Sequence, residues 1–182
     1  RIQLITGATI LIGYWALMIV FPLGLEGGLA AHFENGKSFP QQFDLWLLNL
    51  FPRGKEFTGH AYATLNFVPA MVTMLMGLVC GQLLKNGELT DGAKLKRLWI
   101  AGAVCLVLGI AWAPLCPIVK KLWTPSWTLF CGAYVIWLLA ILYWTIDVKG
   151  WKRGWTWFFG IVGMNSIAAY FMGMLLKPWT GG

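Results

Sequence analysis

Five stretches without an ionised side chain dominate this sequence: Ile2 to Leu25, Phe57 to Leu84, Leu98 to Val119, Leu122 to Ile146 and Gly154 to Leu176. A helix of about 20 residues crosses the hydrocarbon layer of a bilayer, and every one of the five is long enough. None alternates apolar and polar residues as the strand of a membrane barrel does. The composition agrees: 58% of residues are hydrophobic and 12% charged, too few charges to cover a soluble core. The sequence therefore predicts an all-α polytopic membrane protein, a single domain over residues 1–182. It has about five transmembrane helices and a long extracytoplasmic loop after the first. The run that follows Arg1 is too long for a signal-peptide core and lacks a small-residue cleavage pattern, so it is expected to be a span.

Charge gives the expected orientation. The formal net charge is +7, but the cations are scattered through loops and form no patch suited to nucleic acid. Arg1, Lys85, Lys94, Lys96, Arg97, Lys149, Lys152 and Arg153 fall on one side of the predicted spans. Lys37, Arg53, Lys55, Lys120, Lys121 and Lys177 fall on the other, spread over a longer loop. The denser side is expected to be cytoplasmic, which puts the N-terminus inside and the C-terminus outside. Membrane lipid is the default partner of the Lys85 to Arg97 cations, and a polyphosphate is the other. The four cysteines (Cys80, Cys105, Cys116 and Cys131) lie in or beside spans at spacings that match no metal site, and read as small apolar packers.

Against this apolar background, the polar residues stand out. In the last run, Gly163, Ser166, Tyr170 and Gly173 share one helical face with Asn165 on its flank. Lipid would leave the Asn165 amide unpaired, so this face is expected to meet protein, for packing or for substrate contact. In the second run Pro69 follows Asn66, and a kink is expected where the carbonyl of Leu65 loses its partner. Ahead of the fourth run, Lys120-Lys121-Leu122-Trp123-Thr124-Pro125-Ser126-Trp127 gathers cations, indoles and hydroxyls at a helix start. It reads either as an anion-friendly rim or as a tryptophan anchor. Within the loop from Leu25 to Gly59, Phe43 to Phe51 is apolar but short, and is expected to lie at the membrane surface. Both histidines belong to this loop or its edge. His60 is the better candidate for a catalytic base and His32 the weaker, and neither has a nucleophile or carboxylate at a telling spacing.

Three blocks in order, Leu122-Trp123-Thr124-Pro125-Ser126, Asp147-Val148-Lys149-Gly150 and Gly163-Met164-Asn165-Ser166-Ile167, carry a family likeness. So do Asp44-x-Trp46-Leu47-Leu48 and Thr64-Leu65-Asn66 with Gly77 and Gly81. Over essentially the whole chain the sequence resembles the heparan-α-glucosaminide N-acetyltransferase family and its bacterial relatives. The resemblance implies a transmembrane acyltransferase of the bacterial inner membrane, which moves an acetyl group from cytosolic acetyl-CoA to an amino sugar or related glycan on the far side. It implies no metal. Asn66, Trp123, Ser126, Asn165 and Ser166 would then line the acceptor site. The cations Lys94, Lys96, Arg97, Lys149 and Arg153 would face the coenzyme phosphates. The family's catalytic histidine lies in a His-x-x-Trp-Asn-Gly motif that has no counterpart here, and family members run one span further. On that likeness the chain corresponds to the back portion of a longer acyltransferase. A transporter or permease component is the alternative, and a non-catalytic membrane subunit a third. The acceptor's identity and a homo-oligomeric state are left open. None of the five runs carries the buried acid or base that proton-coupled transport uses.

Overall fold

A computed structural model describes residues 2–21, 28–34, 36–51, 54–55, 58, 62–151 and 154–180. Among them the chain is helical, with no strand. It divides into two compact units, residues 1–140 and 141–182. Four helical stretches are long and apolar enough to cross a membrane: Ile2–Val20, Thr64–Lys85, Asp91–Trp112 and Pro125–Val148.

Helix α1 (Ile2–Val20) buries a narrow stripe, Gly7, Leu11, Tyr14 and Met18, at the i, i+4, i+7 spacing of one helical face. Its other faces stay open, Ile2 to 81% and Ile5 to 66%. Open apolar faces of this kind suit hydrocarbon, where no polar surface is needed. The described residues that follow include a 3-10 turn, Leu29–Phe33, and helix α2 (Phe39–Asn49). Pro40 sits in the first turn of α2, where a missing N–H costs nothing. At 11 residues α2 is too short to span. It stacks Phe39, Phe43 and Trp46 along one side.

Helix α3 (Phe67–Lys85) starts later than the apolar run suggested, after a 3-10 turn at Thr64–Asn66. The expected proline kink is therefore absent. Pro69 is the third residue of the helix, so its missing N–H belongs to the orphaned first turn. Helix α4 (Asp91–Trp112) starts earlier than the apolar run, because the Thr90 hydroxyl accepts from the Ala93 N–H at 3.4 Å and caps it. Lys94, Lys96 and Arg97 thus ride on a helix instead of a loop. Helix α5 (Pro125–Tyr143) continues through a π-turn at Trp144–Val148.

Glycines set how closely these helices approach. A Cβ on Gly109 would lie 3.0 Å from the Phe130 nitrogen and 3.1 Å from the Ser126 carbonyl oxygen, so the backbones of α4 and α5 touch there. At Gly102 the Trp137 indole covers the open backbone, and its Nε1 donates to the Trp99 carbonyl at 3.2 Å. Two buried clusters result. One joins Tyr14, Met18, Phe33, Cys116 and Leu122, with Leu65, Val68 and Trp112 packed against it. The other joins Cys80, Leu98, Ile136 and Ala140.

The second unit holds helices α6 (Gly154–Met164) and α7 (Ser166–Thr180). The fifth charge-free run is therefore helical in two pieces, interrupted at Asn165, and neither piece alone has the length of a span.

Candidate functional site

The first cluster closes one end of the first unit, and the polar residues gather on it. Asp44, on α2, is buried, and its Oδ2 accepts from the Thr64 N–H at 2.7 Å. That bond ties α2 to the 3-10 turn that carries Asn66. The Asn66 Nδ2 in turn donates to the Lys121 carbonyl at 2.8 Å, which ties the same turn to the segment ahead of α5. From α1, the Tyr14 hydroxyl donates to the Leu122 carbonyl at 3.4 Å.

The segment itself is held by hydroxyls. The Thr124 Oγ1 donates to the Pro117 carbonyl at 2.8 Å and accepts from the Val119 N–H at 3.1 Å. The Ser126 Oγ donates to the same carbonyl at 3.1 Å and lies 3.2 Å from the Thr124 hydroxyl. Both side chains are fully buried. Between Leu122 and Thr124, Trp123 is forced to φ 48°, in the left-handed region where a residue with a Cβ is strained. Such strain costs on the order of 1–3 kcal/mol and persists only where surrounding contacts over-determine it. The hydroxyl network around Pro117 supplies those contacts.

Among the described residues, four buried polar atoms meet no hydrogen-bond partner: His32 Nδ1, Asp44 Oδ1, Asn66 Oδ1 and Trp123 Nε1. An unmet buried donor or acceptor costs about 1–3 kcal/mol, and native proteins keep few of them. Asp44, Asn66 and Trp123 sit on elements that the bonds above join, and His32 on the 3-10 turn whose Phe33 packs in the first cluster. The Cys116 thiol, fully buried beside Ser126, is pushed up by burial, and bonding to Ser126 offsets this in part. It therefore stays protonated and inert at neutral pH.

The residues expected at the site thus fare differently. Asn66, Trp123 and Ser126 come together at one end of the first unit, with the Ser126 hydroxyl occupied by Pro117. Asn165 and Ser166 belong to the second unit, exposed, at the break between α6 and α7. There the Asn165 Nδ2 donates to the Ile161 carbonyl of its own preceding turn at 3.0 Å. Lys94 and Arg97 fall within one helical step of each other around α4, and Lys96 points to another side. In the second unit, the Lys149 ammonium lies 5.5 Å over the Trp144 ring, a cation–π distance. His60 and Arg153 fall outside the described residues. Asp44 carried no role of its own in the sequence beyond its place in the family likeness. Its signal was a single acid in an otherwise apolar segment, Phe43 to Phe51.

The sequence matches no protein-family model and no curated protein. Among the described residues no group of three or more His, Cys, Asp and Glu side chains could hold a metal ion.

Proposed function

We propose that this chain is the membrane-embedded acceptor portion of an acyltransferase. It takes an acetyl group from cytosolic acetyl-CoA and delivers it to an amino sugar or related glycan at the extracytoplasmic end. The observation that supports this reading is the set of unmet polar atoms, His32 Nδ1, Asp44 Oδ1, Asn66 Oδ1 and Trp123 Nε1. A ligand with hydroxyl and amino groups would satisfy both the donor and the acceptors among them. Lipid would satisfy none.

In the proposed reaction the acceptor nitrogen attacks the thioester carbonyl. The C–N bond forms, the C–S bond breaks, and a base takes the proton lost by the amine and returns it to the departing thiolate. This chain's residues contribute orientation. Asn66 and Trp123 contact the acceptor, and Thr124 and Ser126 hold the strained turn that presents the indole. Lys94, Lys96, Arg97, Lys149 and Arg153 face the coenzyme phosphates from the cytoplasmic side. The base belongs to the front portion that the family likeness implies. The protein is placed in the bacterial inner membrane with five spans, the fifth being the interrupted run through Asn165, an inside N-terminus and an outside C-terminus.

The test is transfer of labelled acetyl from acetyl-CoA to glucosamine across proteoliposomes that carry the full-length protein. Transfer that falls at least tenfold in Asn66→Ala, with the protein still folded, supports the reading. Sugar uptake without acetylation, and no binding of acetyl-CoA in detergent, would replace it with the transporter alternative.

A further inference from the structure

A tight turn fixes the backbone of Trp123. Its N–H donates to the Lys120 carbonyl at 3.1 Å, which closes a turn over Lys120 to Trp123, and the Thr124 N–H reaches the Val119 carbonyl at 3.4 Å. On either side Leu122 and Thr124 are buried almost completely. The φ of 48° at Trp123 therefore cannot relax without loosening both neighbours. Only the two side-chain torsions remain to the indole, which is itself half-buried. Its polar atom is thus held in place before any ligand arrives.

That atom, Nε1, is buried and meets no partner. An indole nitrogen donates and does not accept, so the group that satisfies it is an acceptor. Two of the other unmet atoms have the reverse polarity, since Asp44 Oδ1 and Asn66 Oδ1 accept. They are tied to the same turn: the Asn66 Nδ2 rests on the Lys121 carbonyl, and the Asp44 Oδ2 takes the Thr64 N–H two residues before Asn66. Two residues of a 3-10 turn rise about 4 Å. Acceptors thus come from α2 and the Thr64–Asn66 turn, and a lone donor from the turn ahead of α5.

Amide formation has this polarity. As an amine attacks an acyl carbon, its N–H groups gain positive character and seek acceptors, while the carbonyl oxygen gains negative charge and seeks a donor. We infer that the Trp123 Nε1–H is the oxyanion donor of the acetyl transfer proposed above, the reading on which this assignment rests. It takes the carbonyl oxygen of the acyl group, and Asp44 and Asn66 take the N–H groups of the attacking amine. The nitrogen lone pair forms the C–N bond and the carbonyl π pair moves onto the oxygen beside Nε1. Return of that pair breaks the C–S bond, and the thiolate receives the proton that the base removed from the amine. The contact strengthens as charge builds on the oxygen, so it acts on the rate and little on ground-state binding.

The test uses the full-length protein in proteoliposomes with labelled acetyl-CoA and glucosamine. Trp123→Phe keeps an aromatic ring and removes the N–H. Its kcat should fall at least tenfold, while KM for both substrates stays within twofold and the thermal midpoint is unchanged. Trp123→3-benzothienylalanine puts sulfur in place of the N–H and keeps the shape of the indole, so it should lose kcat in the same way even where the Phe variant folds poorly. Full kcat in the sulfur analogue would overturn the inference and leave the indole a packing group. A rise in KM for glucosamine with kcat unchanged would also overturn it, because the ring would then be a platform for the sugar only. Transfer that falls in Asn66→Ala but is untouched in both Trp123 variants would sink this assignment and leave the acyltransferase reading standing. Absence of transfer by the unaltered protein would remove both.

Discussion

The two ends of α1 face opposite problems. Near Tyr14 the helix meets a region crowded with polar groups, several of them bonded across α2, the Thr64–Asn66 turn and the segment ahead of α5. Near Gly7 it borders an opening lined almost wholly by apolar side chains. The same apolar helix supports both, because what differs is the partner that each end suits. Unmet polar atoms are satisfied by water or by a ligand that carries hydrogen-bonding groups, whereas an apolar opening suits apolar groups.

Four substitutions break or sharpen that contrast. The largest effect is expected from Asn66→Ala, which removes the clasp to Lys121 and an unmet acceptor together. Acetyl transfer should fall at least tenfold, about 1.4 kcal/mol in barrier per factor of ten, while the protein remains folded by its thermal midpoint. Unchanged transfer would remove Asn66 from the acceptor site.

Next comes Gly109→Val, which sets a branched side chain against the backbone of α5. Overpacking of this kind costs about 1–3 kcal/mol, visible as a lower thermal midpoint in detergent. Thr124→Val keeps the shape of the side chain but leaves the Val119 N–H without its partner and the Pro117 carbonyl with one donor fewer. The cost is about 1–3 kcal/mol, with Thr124→Ser recovering part of it. In the same variant Cys116 should label faster with maleimide at pH 7. Burial holds that thiol above its ordinary range, so the reactive thiolate is scarce until the turn loosens. Unchanged labelling would separate Thr124 from the packing of this end.

The smallest stability effect belongs to Asn165→Ala. Its side chain bonds only to its own helix turn and is exposed, so the thermal midpoint should shift by no more than experimental error, while transfer falls if Asn165 touches the acceptor. Unchanged transfer would confine the acceptor to the Asn66 and Trp123 end.

Much of the helical layout was legible from charge alone, since an ionised side chain is costly inside hydrocarbon and marks where a span ends. Four of the five runs hold a helix long enough to cross. The boundaries were less legible, for local reasons. Thr90 caps α4 well before its apolar run begins, and Pro69 is absorbed into a first turn because α3 starts at Phe67. The polar residues of the site were legible as anomalies, but their partners were not. That the Ser126 hydroxyl is committed to Pro117, or that the buried Asp44 reaches the Thr64 N–H, depends on segments far apart in the chain. No spacing rule encodes such meetings. Trp123 stands out in the sequence by its place in the family likeness, and nothing there announces its left-handed backbone.

The contact at Gly109 has a mechanical consequence. Main chain rests on main chain at that one level, which pins α4 to α5 there, while the Trp137 indole fills the space between them at Gly102. The stretch from Ala113 to Thr124 is then a strap tied off on either side of that pin. A guest beside Trp123 meets the facing wall, where α1 and the Thr64–Asn66 turn grip the strap through bonds from Tyr14, Trp15 and Asn66.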